Sequence, residues 1–278
     1  MFIPSHNKQQ DWRDFTLILP TVSVGNVGQL TADLIVSTLH MERVGYVLHP
    51  SLLPVIGSDP YADDESTPYK LTTSCEVFES KVAKVVVVQT RAPIIKGQRK
   101  IYADWLSDWI KKQHFRQVIV LTSTFAQDRL DYQISGPPFR ILLSPTMEQR
   151  EGEFFTTKME WTKLELRQPN QAYTHIQDGL PGSDYLHMPG SGIAKLIFES
   201  CQELPTLVLM MFVSEGDNVH DAIALADQIN KWLSLLPNQN SHDKEEYQGQ
   251  LKRTSVGWKI PKSWRLVFGS KYEPKLFQ

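Results

Sequence analysis

Short, strongly apolar runs alternate along the chain with amphipathic stretches of helical period. The first run, FTLILP at residues 15–20, leads through a glycine turn, SVGNVGQ, into residues 29–40, where Leu30, Leu34, Ile35 and Leu39 recur at the spacing of one helix face. VGYVLHP at residues 44–50 supplies the next strand, so the opening predicts a parallel strand–helix–strand unit. After a polar loop containing ADDEST, CEVF and VAKVVVVQT predict two strands, the second apolar enough to lie inside a sheet and to mark its centre. Residues 98–112 place Ile101, Trp105 and Trp109 at helical spacing, and RQVIVLTS at residues 116–123 is another buried strand.

Between residues 125 and 187 the pattern loosens into turn chemistry, GPP at 136–138 and LPGSD at 180–184, around one further strand, FRILLS. PGSG at residues 189–192 then opens a second strand-and-helix half. It runs through IAKLIFESC and the apolar run TLVLMMFV to SEGDN and a helix over residues 219–236, closed by Pro237. Asp217 or Asn218 can cap that helix, and Asp221 in its first turn suits the positive end of the dipole. NQNSHDKEEYQGQ, residues 238–250, lacks apolar periodicity and reads as part of a mobile loop over about 238–256, followed by the aromatic WKIPKSWRLVFGS and a tail, KYEPKLFQ. No internal repeat stands out.

Composition narrows the function classes. With 278 residues, 41% of them hydrophobic, the chain can bury one sizeable core. Its 29 Lys and Arg against 31 Asp and Glu, a net charge of -2, leave no phosphate-neutralising field for nucleic acid. Two cysteines, Cys75 and Cys201, are too few for a disulfide framework or a four-ligand zinc site and read as buried free thiols. The N-terminus has no apolar signal core and no run is long enough to span a bilayer, so a cytoplasmic and nuclear location is expected.

Candidate chemistry is thin. Gly25-Asn26-Val27-Gly28, between a strand and a helix, is placed where free N–H groups can cradle phosphate. It lacks the three glycines of a dinucleotide fingerprint and the Lys-Ser/Thr pair of a phosphate loop, so the glycines are expected to serve positive φ and close helix–sheet packing. Ser191 with His187 nearby has the wrong spacing for a nucleophile elbow and no acidic partner placed by motif. Glu215 and Asp217 could serve acid–base work or a cation, but helix capping accounts for them more simply. The eight histidines form no metal spacing. Trp258, Trp264 and Phe268 fit either core packing or a partner surface. The residues by themselves leave two classes open: a binding protein, or a phosphorylase- or hydrolase-like enzyme using the Gly25 turn and the Glu215/Asp217 pair.

PTVSVGNVGQLTADLIVSTL near the start, PFRILLSPTM at residues 138–147, PGSGIAKLIFE, FVSEGDN at residues 212–218 and WKIPKSWRLVFGS at residues 258–270 together give the chain a resemblance to the proteasome assembly chaperone family. The likeness runs along most of the chain and is weakest at residues 59–73, 148–177 and 238–257. It implies a single three-layer α/β domain over residues 1–270 with a largely parallel central sheet, similar to nucleoside phosphorylases but without their activity, with irregular insertions and a flexible C-terminal tail at residues 271–278. It also implies no cofactor, catalytic residue or metal. As partners it implies proteasome assembly chaperone 1, in a heterodimer, and the α subunits and α-ring of the 20S proteasome. The family's C-terminal hydrophobic-Tyr-any tripeptide, which enters pockets between α subunits, corresponds here to Leu276, Phe277 and Gln278. Phe277 lacks the tyrosine hydroxyl.

Overall fold

The computed structural model describes residues 1–5, 10–62, 70–168, 184–236, 246–247, 250–251 and 257–266. In chain order the main elements are β1 (Phe2–Pro4), β2 (Thr16–Pro20), α1 (Val27–Thr38), β3 (Glu42–Val47), β4 (Ile56–Ser58), β5 (Leu71–Thr73), β6 (Cys75–Ser80), β7 (Val85–Thr90), α2 (Arg99–Gln113) and β8 (Gln117–Phe125). They continue with α3 (Asp131–Ile134), β9 (Phe139–Leu143), α4 (Pro145–Glu153), α5 (Ala194–Ser200), β10 (Thr206–Val213) and α6 (Val219–Leu233).

Eight strands form one sheet in the order β1-β3-β6-β7-β2-β8-β10-β9. Four adjacent strands, β7, β2, β8 and β10, pair in parallel, while β1, β6 and β9 pair antiparallel to their neighbours. β3 therefore points the same way as those four, and the sheet is largely parallel. β7 does lie at its centre, as its six buried residues demand.

Alternation along each central strand feeds two separate cores. Leu17, Leu19, Val86, Val88, Val118, Val120, Val208 and Met210 face α2 and α5, packing against Tyr102, Leu106, Ile110 and Ile197. Ile18, Val87, Ile119, Leu121, Leu209 and Met211 face the other way, onto Leu34 and Ile35 of α1, Met147 of α4 and Leu225 and Ile229 of α6. Helices on both faces of one sheet give the expected three layers. Both thiols are free and buried, and burial pushes Cys75 up to about 11.

Three expectations change in detail. β2 and β3 point the same way but are not neighbours, because the β6–β7 hairpin lies between them. α6 ends at Leu233, where Ser234 turns left-handed (φ 51°) and its N–H donates to Asn230 O, before Pro237 is reached. Most of the stretch expected to be a mobile loop lies outside the described residues; within it Glu246–Tyr247 and Gln250–Leu251 pair as a short antiparallel ribbon. α4 was not anticipated, although Ser144 at its N-cap, accepting from Met147 N–H, and Pro145 at its first position are a legible start signal.

Candidate functional site

In an open α/β sheet a ligand crevice lies beyond the carboxyl ends of the strands, where the connections diverge. Here that place is the mouth shared by β2, β8 and β10, and the three turns singled out from sequence meet there.

The turn after β2 carries two glycines that only tertiary contacts explain. Gly25 has φ 63°, and a Cβ there would lie 2.4 Å from the amide nitrogen of Asn218, which sits in the turn after β10. A Cβ on Gly28 would lie 2.6 Å from the Leu121 carbonyl oxygen of β8, so the first turn of α1 rests on the backbone of the sheet. The turn at residues 189–192 closes over the same spot, with Val24 N–H donating to Gly190 O at 3.1 Å.

Between these turns the strand ends present hydroxyls, and they bind one another. Thr21 Oγ1 donates to Thr122 Oγ1 at 2.9 Å, and Ser23 and Ser123 meet Oγ to Oγ at 2.7 Å. Thr122 Oγ1 donates to Ser191 O at 3.0 Å and Thr124 Oγ1 to Pro189 O at 2.6 Å. The crevice is thus a hydrogen-bonded weld that joins β2, β8 and the 189–192 turn. The signal in the sequence was the pair of small hydroxyl runs, PTVS and LTST, each directly after an apolar strand.

Ser191 is 3% exposed and donates to Met188 O at 2.6 Å within its own turn. His187 packs edge-on against Tyr185, and burial lowers its pKa. Asn218 is the N-cap of α6 but makes no side-chain cap bond, donating instead to Gly216 O at 3.0 Å, while Asp217, one residue earlier, accepts the Val219 N–H of the first turn at 3.1 Å. Glu215 lies on the wall of an open bowl of about 240 Å³ shared with Phe125, Gln127 and Val213. Among the described residues no three His, Cys, Asp or Glu side chains are grouped to hold a metal ion, and no helix is long and apolar enough to cross a membrane.

Beside this mouth lies a buried polar knot that sequence reasoning missed. Asp33 of α1, 5% exposed, receives hydrogen bonds from Gln89 Nε2 (2.6 Å), Tyr61 OH (2.6 Å) and the Arg91 guanidinium (2.7 Å). Burial opposes the charge on Arg91, but the Asp33 carboxylate outweighs it and holds the pKa above the ordinary value. Burial and the same carboxylate push Tyr61 well up. Nothing in the local pattern separates this aspartate from a solvated helix residue.

Trp258 is fully buried and Trp264 is 5% exposed, both in the α1–α6 core, so packing is the role of these two. Phe268 and the tripeptide Leu276, Phe277 and Gln278 lie outside the described residues.

A family model described as the PAC2 family matches residues 17–254. The chain belongs to the PAC2 family. Within it, the chain is 39% identical over 280 residues to "Proteasome assembly chaperone 2" of Danio rerio and 38% identical over 280 residues to the protein of that name in Homo sapiens, each alignment covering 100% of both chains. Among solved structures it is similar to PbaA of Pyrococcus furiosus, described as an archaeal homolog of proteasome-assembly chaperone. That match has a TM-score of 0.57 and 15% identity, and covers 86% of this chain and 88% of PbaA. The archaeal likeness is one of fold. The PAC2-family match begins at Leu17 within β2 and runs past α6, and so takes in every residue of the welded crevice.

Proposed function

We propose that this PAC2-family chain is a non-catalytic chaperone of 20S proteasome assembly. It pairs with proteasome assembly chaperone 1, binds α subunits, promotes α-ring formation and prevents off-pathway ring pairing, in the cytoplasm and nucleus. The observation that carries the reading is identity of 38% and more along the whole length of named proteasome assembly chaperones. The welded mouth of the sheet agrees with it, because the hydroxyls and glycines that would meet a substrate hold the turns together instead.

The tail's share follows from its chemistry. Leu276 and Phe277 offer apolar surface and Gln278 the terminal carboxylate, which a cation or a backbone nest can capture. Burying the two side chains contributes about 1.5–3 kcal/mol each, much of it offset by ordering the tail, so the folded surface supplies the rest of the affinity. Isolation of the chain from cells under native conditions should recover a second chaperone and proteasome α subunits, with little mature protease. In that heterodimer, Phe277→Ala with Gln278 deleted should weaken α-ring binding. Recovery of the chain alone removes the assembly reading, and unchanged ring affinity removes the tail from it.

A further inference from the structure

The connections diverge a second time, one strand along from the welded mouth. β2 and β7 run side by side in parallel. Yet β2 leads into α1 on one face of the sheet and β7 into α2 on the other. Neighbouring parallel strands whose helices depart to opposite faces leave a crevice between their carboxyl ends, because neither connection covers it. A cavity of about 80 Å³ lies there, reaching from the buried Tyr102 to the exposed Arg99.

Its walls are preformed. Leu19 and Val22 from the end of β2, Ile94 from the loop after β7, and Ile193 supply apolar surface. That loop is pinned by Ile95 N–H donating to Ser51 O at 2.8 Å and by Ser51 Oγ donating to Gln98 Oε1 at 2.8 Å. On the other side the 189–192 turn sits so close to β2 that a Cβ on Gly192 would collide with the Val22 carbonyl oxygen. One water-sized occupant needs about 10–15 Å³, so the cavity admits about five to eight non-hydrogen atoms. Small, preformed, mostly apolar pockets with a few convergent polar groups are where small ligands bind.

The polar groups come from α2. Arg99 and Tyr102 stand three residues apart on one helix face, with Leu106 next along it, and all three line the cavity. Tyr102 is fully buried, and the acceptor its hydroxyl reaches is the Cys75 thiol, at 4.0 Å and soft. Burial pushes the phenol's pKa well up, so it keeps its proton and is a donor short of an oxygen acceptor. The Arg99 guanidinium has no ion pair among the described residues, whereas its neighbour Lys100 is paired with Asp104 at 3.1 Å. A buried donor and an unpaired cation over an apolar cavity complement one chemistry, a carboxylate on a compact apolar body.

We infer that this cavity binds a small aliphatic carboxylate of about five to eight non-hydrogen atoms, its body against Leu19, Ile94 and Ile193 and its carboxylate between Tyr102 and Arg99. Inorganic phosphate lacks the apolar body and a nucleoside exceeds the volume, so neither is its ligand. The probe is isovalerate, a branched acid of this size, titrated into the full chain carrying 13C-labelled isoleucine methyls, with the isosteric neutral isovaleramide alongside.

Saturable shifts are expected at the Ile94 and Ile193 methyls and not at Ile56 or Ile134, which are exposed elsewhere. An exposed ion pair strengthens binding by up to about fivefold, so the amide should bind about fivefold more weakly than the acid. Arg99→Gln should remove that difference, and Tyr102→Phe should weaken acid and amide alike; ligand-free methyl spectra that match the parent chain's verify that both variants are folded. Shifts that grow linearly with concentration, or that spread equally to Ile56 and Ile134, overturn the inference. So does equal affinity for acid and amide in the parent chain, or binding that neither substitution changes.

Discussion

At Gly28 two effects of opposite sign meet on one methyl group. Alanine inside a helix is favoured over glycine by about 0.5–1 kcal/mol, yet here its Cβ would be 2.6 Å from a backbone oxygen of β8 that cannot swing aside. Moving α1 outward loosens packing along the layer it shares with α6, and overpacking of this kind costs about 1–3 kcal/mol. The clash wins, so Gly28→Ala should lower the urea midpoint with an unchanged slope; an equal or higher midpoint would mean that the helix–sheet contact is looser than described. The reading that these glycines serve packing and positive φ was available from sequence, because the phosphate motifs lacked their other members. The identity of what they pack against was not, since Leu121 and Asn218 are 93 and 193 residues away from their glycines.

α1 shows how much of an element can be legible while its environment is not. Its apolar spacing predicted the helix to within two residues at each end. It did not predict that nine of its twelve residues are buried, Thr31, Asp33 and Ser37 among them. α6 packs along its side in the same layer and the strap formed by residues 257–266 crosses its end, so polar groups that would face water in a peripheral helix must find partners inside. Thr31 donates to Ala222 O at 3.1 Å, and Asp33 takes Arg91. Removing one partner of a buried pair strands the other charge. The side chain of Arg91 is 21% exposed and Asp33 keeps two neutral donors, so Arg91→Met should cost about 2–3 kcal/mol, below the about 3–5 kcal/mol of a fully buried pair. Adding Asp33→Asn should restore part of the loss in the same denaturation experiment. A double variant less stable than the single one would show that the knot holds through its neutral hydrogen bonds instead.

For the molecule as a whole, the enzyme and chaperone readings differ in what the sheet's mouth accepts. A ligand that binds the native state at a hundred times its Kd adds about 2.7 kcal/mol of stability. With Thr21, Ser23, Thr122 and Ser123 bonded to one another and to the closing turns, phosphate, nucleosides and nucleotides should leave the thermal midpoint where it is. A clear rise with any of them would restore the phosphorylase-like reading.

The sequence by itself determined seven of the eight strands of the main sheet, most of the helices, the α/β class and the kinship, because apolar period and turn chemistry act over a few residues and survive in any context; it missed β1, β4 and β5, three-residue strands too short to carry a period. It also marked all three turns that meet at the mouth. What only the tertiary structure decided is which of these pieces meet. Strand order placed a hairpin between β2 and β3, brought the turns after β2 and β10 against each other, and laid a tryptophan-anchored strap over α1. Those outcomes depend on contacts between residues up to 221 positions apart, as for Thr38 and Lys259, and no local pattern encodes a pairing over such a distance.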